Sequence, residues 1–138
     1  MINFENDRWM DVNVVGSLLK LFFRKLPEPL MSYELYDLAI QISRISDHEK
    51  KLLKLKSLLV ELPITNRETF KFLANHLHRI AENEPENKMN AHNLAIMFGP
   101  SLVHPQSDDP QNELTNQMIA DMNLQTHIVE LIIIYVNF

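Results

Sequence analysis

The chain has 138 residues, of which 46% are hydrophobic and 22% charged, a globular balance that excludes wholesale disorder. That length makes one domain or part of a slightly larger one, able to bury well over half of its unfolded surface without a disulfide or metal staple. Thirteen Lys and Arg against eighteen Asp and Glu leave a formal charge of −5, which argues against general nucleic-acid binding; the absence of cysteine removes disulfide scaffolds, thiol catalysis and cysteine-ligated metals.

In chain order, the opening Met1-Ile2-Asn3-Phe4-Glu5-Asn6-Asp7 has no basic stretch followed by an apolar one, so no secretory signal is expected. Asp11 is a candidate N-cap for a first helix. Val15, Leu18, Leu19, Phe22, Phe23 and Leu26 recur along it at three- and four-residue steps as one apolar stripe, and Pro27 and Pro29 stop it. Asn13, Ser17, Lys20 and Arg24 form a polar row that is expected to lie opposite that stripe.

Ser32 is placed to cap a second helix, with Leu35, Leu38, Ala39 and Ile42 inward. Ser46-Asp47-His48-Glu49 has the form of a capping box and opens a third, with Leu52, Leu55, Leu59 and Leu62 inward. Thr65-Asn66-Arg67-Glu68 repeats that form for a fourth, carrying Phe70, Leu73, Leu77 and Ile80. After a polar connection, Asn90 caps a short helix, with Met89 and Leu94 as a staple; Gly99 and Pro100 are expected to close it. Residues 104–113 read as a loop. Ile119 to Tyr135 returns to helical spacing, although Ile132-Ile133-Ile134 also suits a strand. Its apolar run from Leu131 to Val136 is the longest in the chain and far too short to span a bilayer. The expected class is all-α.

Several constellations invite a chemical reading and each has a plainer one. His76 and His78 are two apart and so diverge on a helix, and no His-Glu-x-x-His occurs, so the histidines read as structural or surface groups and no metal is expected. Gly16 and Gly99 are the only glycines, too few for a phosphate-cradling loop, and no cofactor is expected. Without a Gly-x-Ser-x-Gly no serine nucleophile stands out. Lys50, Lys51, Lys54 and Lys56 cluster on the third helix; such a run is ordinarily a solvated face, contact with anionic lipid being the other reading.

Two longer stretches say more. They are Leu18-Leu19-Lys20-Leu21-Phe22-Phe23-Arg24-Lys25-Leu26-Pro27-Glu28-Pro29-Leu30 and Asn87-Lys88-Met89-Asn90-Ala91-His92-Asn93-Leu94-Ala95-Ile96-Met97-Phe98-Gly99-Pro100-Ser101-Leu102. Together they resemble the two signature motifs of the RhoGAP domain, the helical module that activates Rho-family GTPases. The resemblance runs from about Asp11 to the C-terminus and implies a RhoGAP-like helical bundle without its N-terminal helices.

It also implies the partner, a Rho-, Rac- or Cdc42-type small GTPase in its GTP-bound form, and a cytoplasmic setting in which other parts of the parent protein recruit the domain to membrane or cytoskeleton. Lys20 and Arg24 match the family's basic pair, and Asn87 and Asn93 match polar positions of its GTPase-binding surface. Pro27, Pro29, Phe98, Gly99 and Pro100 match architectural positions. The family's catalytic arginine lies on a glycine-flanked loop further upstream than the nineteen residues ahead of Lys20 allow. Arg8, with no glycine beside it, reads as an ordinary linker or helix-entry arginine. The expectation is therefore a docking face without the arginine finger, little activation, and a homodimer through apolar surface that an absent segment would cover, with Phe4, Trp9 and Met10 filling part of the gap. A catalytically silent RhoGAP-like scaffold is the alternative, and the sequence upstream of Met1 discriminates.

Overall fold

The computed structural model describes residues 12–105 and 116–135, apart from the side chains of 12–15, 87 and 116–119. Arg8, the cap at Asp11, the filling role of Phe4, Trp9 and Met10, and most of the 104–113 loop lie outside the described residues. Seven helices are present among those described: α1 (Val12–Arg24), α2 (Tyr33–Ser43), α3 (His48–Glu61), α4 (Ile64–Glu82), the single turn α5 (Glu84–Asn87), α6 (Ala91–Leu102) and α7 (Asn116–Tyr135). No strand occurs among the described residues, and Ile132-Ile133-Ile134 is helical.

The expected inward rows largely form the core. Leu55, Leu59 and Leu62, Phe70, Leu73 and Leu77, and Ala39 and Ile42 are all buried. In α2 the inward face is rotated from the expected one: Tyr36 and Ile40 are buried and Leu38 is exposed. This rotation places Tyr36 against α7, where the Gln125 side chain donates from Nε2 to its hydroxyl at 2.9 Å. Tyrosine is admitted to a core where its hydroxyl finds such a partner.

Three helix starts differ from expectation in their chemistry. Ser32 occupies the N-cap of α2 but makes no side-chain cap bond. The cap of α3 is Asp47 rather than Ser46, its carboxylate accepting from the Lys50 N–H. Helix α4 begins at Ile64 behind Pro63, so Thr65 lies within the first turn instead of capping it. Proline is suited to a helix start because the N–H it lacks would be unpaired there. The N-cap at Asn90 is as expected: its Oδ1 accepts from the Asn93 N–H at 2.8 Å.

The largest departure is at the end of α6. Gly99 and Pro100 do not close it; the helix runs through both to Leu102, and Gly99 has an ordinary negative φ. A proline in a helix interior removes the bond to the carbonyl four residues back, here Ile96, and costs about 3 kcal/mol, yet the helix continues for two residues beyond Pro100. The Leu102 carbonyl, otherwise an orphan of the helix end, accepts from the Met31 N–H at 3.0 Å, and Val103 N–H returns to the Gly99 carbonyl at 2.9 Å. Gly99 serves closeness instead of a turn: a Cβ there would lie 3.0 Å from the Thr126 backbone Cα. Helix α6 is the hub of the fold, packed most extensively against α7 and also against α1 and α4.

Candidate functional site: the α1–α6 face

Both motifs meet on one side of the hub. At one point α1 approaches α6 through Gly16, where a Cβ would stand 3.1 Å from the Met97 sulfur. Two turns further along, Arg24 Nε donates to the Ser101 hydroxyl at 3.2 Å. Ser101 is fully buried, so this bond satisfies a polar group that water cannot reach. Lys20 lies between these two contacts and is half-buried.

This placement corrects the sequence reading, in which Lys20 and Arg24 stand opposite the apolar stripe. At about 100° per residue, Lys20 is turned only about 40° from Gly16 and Arg24 about 80°. Both therefore ride on the shoulder of the surface that meets α6. Gly16, Leu19 and Phe23 form that inward surface, and Leu18, Leu21 and Phe22 of the expected stripe and its neighbour are exposed by 47%, 49% and 58%. The signal for this rotation was Gly16 itself, a helix-interior glycine that marks where another helix comes close.

Asn93 stands on the exposed side of α6, one turn before Met97. Its backbone N–H is taken by the Asn90 cap, so the first turn is fixed while its side chain faces outward. Asn87 ends α5, and its side chain lies outside the described residues. It is followed by Lys88 at φ 60°, a left-handed residue that turns the chain from α5 toward α6. Lys20 and Arg24 thus lie on α1 where it meets α6, and Asn93 lies on the exposed side of α6 itself.

The proline segment between α1 and α2 is clamped from two sides. Pro29 is fully buried, the Asn66 side-chain amide donates to the Leu30 carbonyl at 3.2 Å, and Met31 is the residue bonded to Leu102. Phe98 is buried in the core. These contacts tie the end of the first motif to the end of the second.

A groove of about 520 Å³ runs along the other flank of α6, lined by His92, Ile96, Pro100, Met122, Thr126 and Glu130 among others. Sequence reasoning did not identify it. His92 Nδ1 and Glu130 Oε2 are 3.0 Å apart across it. His127, also in its wall, sits 3.0 Å from the Lys51 ammonium through Nε2. Burial, and then the Lys51 charge, hold the His127 imidazole below its ordinary pKa, so it is the neutral acceptor of a Lys51 hydrogen bond. Among the described residues no group of three His, Asp or Glu side chains is arranged to hold a metal ion.

The RhoGAP domain family matches residues 2–107. The chain is 47% identical over 128 residues to GTPase-activating protein pac-1 of Caenorhabditis elegans, covering 93% of this chain and 8% of that protein. To Rho GTPase-activating protein 21 of Xenopus tropicalis it is 44% identical over 132 residues, covering 96% and 7%. The crystal structure of human Rho GTPase activating protein 15 superposes with a TM-score of 0.80 at 35% identity, covering 96% of this chain and 60% of that one. The fold and the two motifs therefore define a RhoGAP-type helical module. This chain belongs to the RhoGAP domain family, and it spans less than a tenth of the length of the curated relatives just described.

Proposed function

We propose that this chain is the GTPase-docking part of a RhoGAP domain and seats a Rho-family small GTPase in its GTP-bound form on the α1–α6 face. The observation that carries the reading is the Arg24–Ser101 bond. It anchors an exposed arginine of α1 to α6 through Nε, one turn beyond Lys20 and against the helix that carries Asn93. Arginine suits such a seat because it stays ionised and offers donors in a rigid plane. Asn87, by its match to the family motif, extends the same face.

In GTP hydrolysis, charge builds on the phosphoryl oxygens, and an arginine supplied in trans is worth about 10³ to 10⁵ in rate. At about 1.4 kcal/mol per decade, that is on the order of 4 to 7 kcal/mol from one guanidinium. Arg24 is held on α1 by its Nε bond to Ser101, and no arginine of this sequence lies in the glycine-flanked setting of the family's finger. On this reading the chain grips the partner and accelerates hydrolysis little. Single-turnover GTP hydrolysis by a Rho-family GTPase, with and without these 138 residues, tests it. The expected stimulation is far below that of an intact RhoGAP domain, and stimulation within about tenfold of one refutes the missing-finger argument.

The exposed Leu18, Leu21 and Phe22 on α1 support a second element of the reading, self-association through an apolar patch. Sedimentation at high concentration is expected to show a dimer that Phe22→Ser weakens; a monomer throughout removes this element.

A further inference from the structure

We propose that the outward face of α3 is a seat for an anionic bilayer surface. The face is defined by what it does not bury. Leu55, Leu58 and Leu59 point into the core, whereas Leu53 and Val60 on the opposite side are each 67% exposed. Ile64, just past Pro63 at the start of α4, continues the strip at 68% exposed. Three large aliphatic side chains this open, within twelve positions of one another, need a reason.

The charges around the strip supply one. Lys50 and Lys54 flank it on one side and Lys56 on the other, all three exposed. Arg67 of α4 donates from Nη1 to the Val60 carbonyl at 3.3 Å, which holds its guanidinium beside the strip. Lys51 is not part of the face, being turned toward His127. Against these four cations stand three carboxylates, Glu49 one turn before Leu53, Glu61 at the far end and Asp47 at the cap, which leaves a small positive excess. In a chain of net charge −5 this is a local inversion of sign.

The composition favours lipid over protein as the occupant. Protein interfaces deplete lysine and enrich aromatic residues and arginine at their centres, and the strip is aliphatic, without an aromatic, and edged chiefly by lysine. Lysine stems lie along apolar surface while their ammonium groups reach a polar layer, which is the posture of a helix lying in a membrane interface. No described helix is long and apolar enough to cross a membrane, so the geometry is one of lying on the surface. Fourteen residues give α3 a flat contact about 21 Å long. The face lies on α3, which packs against α2, so the proposal does not rest on the GTPase reading of α1 and α6.

The test is co-sedimentation of the 138-residue chain with vesicles of phosphatidylcholine alone and with about 30% phosphatidylserine, at about 0.1 M salt. The expected result is binding to the anionic vesicles at least about tenfold tighter than to the neutral ones, weakening as salt rises. Each lysine near such a surface contributes about fivefold, so K54E/K56E is expected to lose at least about 25-fold. L53S/V60S is expected to lose several-fold while keeping its preference for anionic vesicles. Circular dichroism checks that both variants stay folded, as exposed positions should allow. Failure to bind anionic vesicles, equal binding to both vesicle types, or wild-type binding by K54E/K56E overturns the proposal. Loss of binding to a GTP-loaded Rho-family GTPase in K54E/K56E would assign the strip to a protein partner and overturn it equally.

Discussion

Replacing Gly99 by alanine puts a methyl carbon 3.0 Å from the Thr126 backbone Cα, tighter than nearly all such contacts in folded proteins. The obstacle is backbone of a long helix, so relief requires α6 and α7 to move apart along the most extensive contact of the fold. Overpacking of this kind costs about 1–3 kcal/mol, and the helix preference of alanine over glycine returns up to about 1 kcal/mol. The central values leave a net loss of about 1 kcal/mol. Gly16→Ala is the internal comparison. There the new methyl meets the Met97 sulfur at 3.1 Å, the far part of a flexible side chain that can turn aside. Propensity then dominates, and the variant is expected to be neutral or slightly stabilised. Urea unfolding of the two variants measures the difference directly, as a lowered midpoint for Gly99→Ala at unchanged m-value and little change for Gly16→Ala. A Gly99→Ala protein as stable as the parent would refute the close-approach argument.

Other expectations are smaller. Asn90→Ala removes the acceptor of the Asn93 N–H and should cost about 1 kcal/mol in urea unfolding, with Asn90→Asp or Asn90→Ser restoring most of it. His127, held below its ordinary value of 6.5 by burial and by Lys51, is neutral in the folded chain at a pH where the unfolded chain already takes up a proton. Stability should therefore be unaffected by His127 above that value and fall as pH drops below it; His127→Gln should make the fall shallower when unfolding at about pH 7.5 and about pH 5.5 is compared. An unchanged slope in that variant would remove His127 from the account.

How far the sequence predicted this structure depended on which interactions were local. The inward rows of α3 and α4 follow from spacing alone, and so does the cap at Asn90, because each depends on residues within a few positions. The continuation of α6 through Gly99 and Pro100 does not, because the Met31 N–H that satisfies its end arrives from a distant part of the chain. The orientation of α1 was misread for a related reason. Its apolar spacing spreads over so much of the circumference that the true inward face is set by where α6 comes close, at Gly16. Lys20, Arg24 and Asn93 were found by motif rather than by chemistry. Nothing in their local sequence shows that Arg24 bonds a buried serine, Ser101, far along the chain. The α6–α7 groove was invisible because it is made by two helices whose facing residues have no sequence spacing in common.

The central claim is that the α1–α6 face holds a GTP-loaded Rho-family GTPase through Lys20, Arg24 and Asn93. The most direct measurement is the affinity of this chain for such a GTPase carrying a non-hydrolysable GTP analogue, compared with the GDP form and with Lys20→Ala and Arg24→Ala. Hydrogen bonds to charged groups are worth about 1.5–3 kcal/mol, so each variant should bind roughly tenfold or more weakly, and the GDP form should bind less well than the GTP form. Lys20→Ala should unfold normally, whereas Arg24→Ala leaves the buried Ser101 hydroxyl unpaired and should also lose about 1–3 kcal/mol of stability, so its binding is read where it is folded. Absence of binding by the folded parent chain to any GTP-loaded Rho-family member, or equal binding by the parent and both variants, would contradict the account.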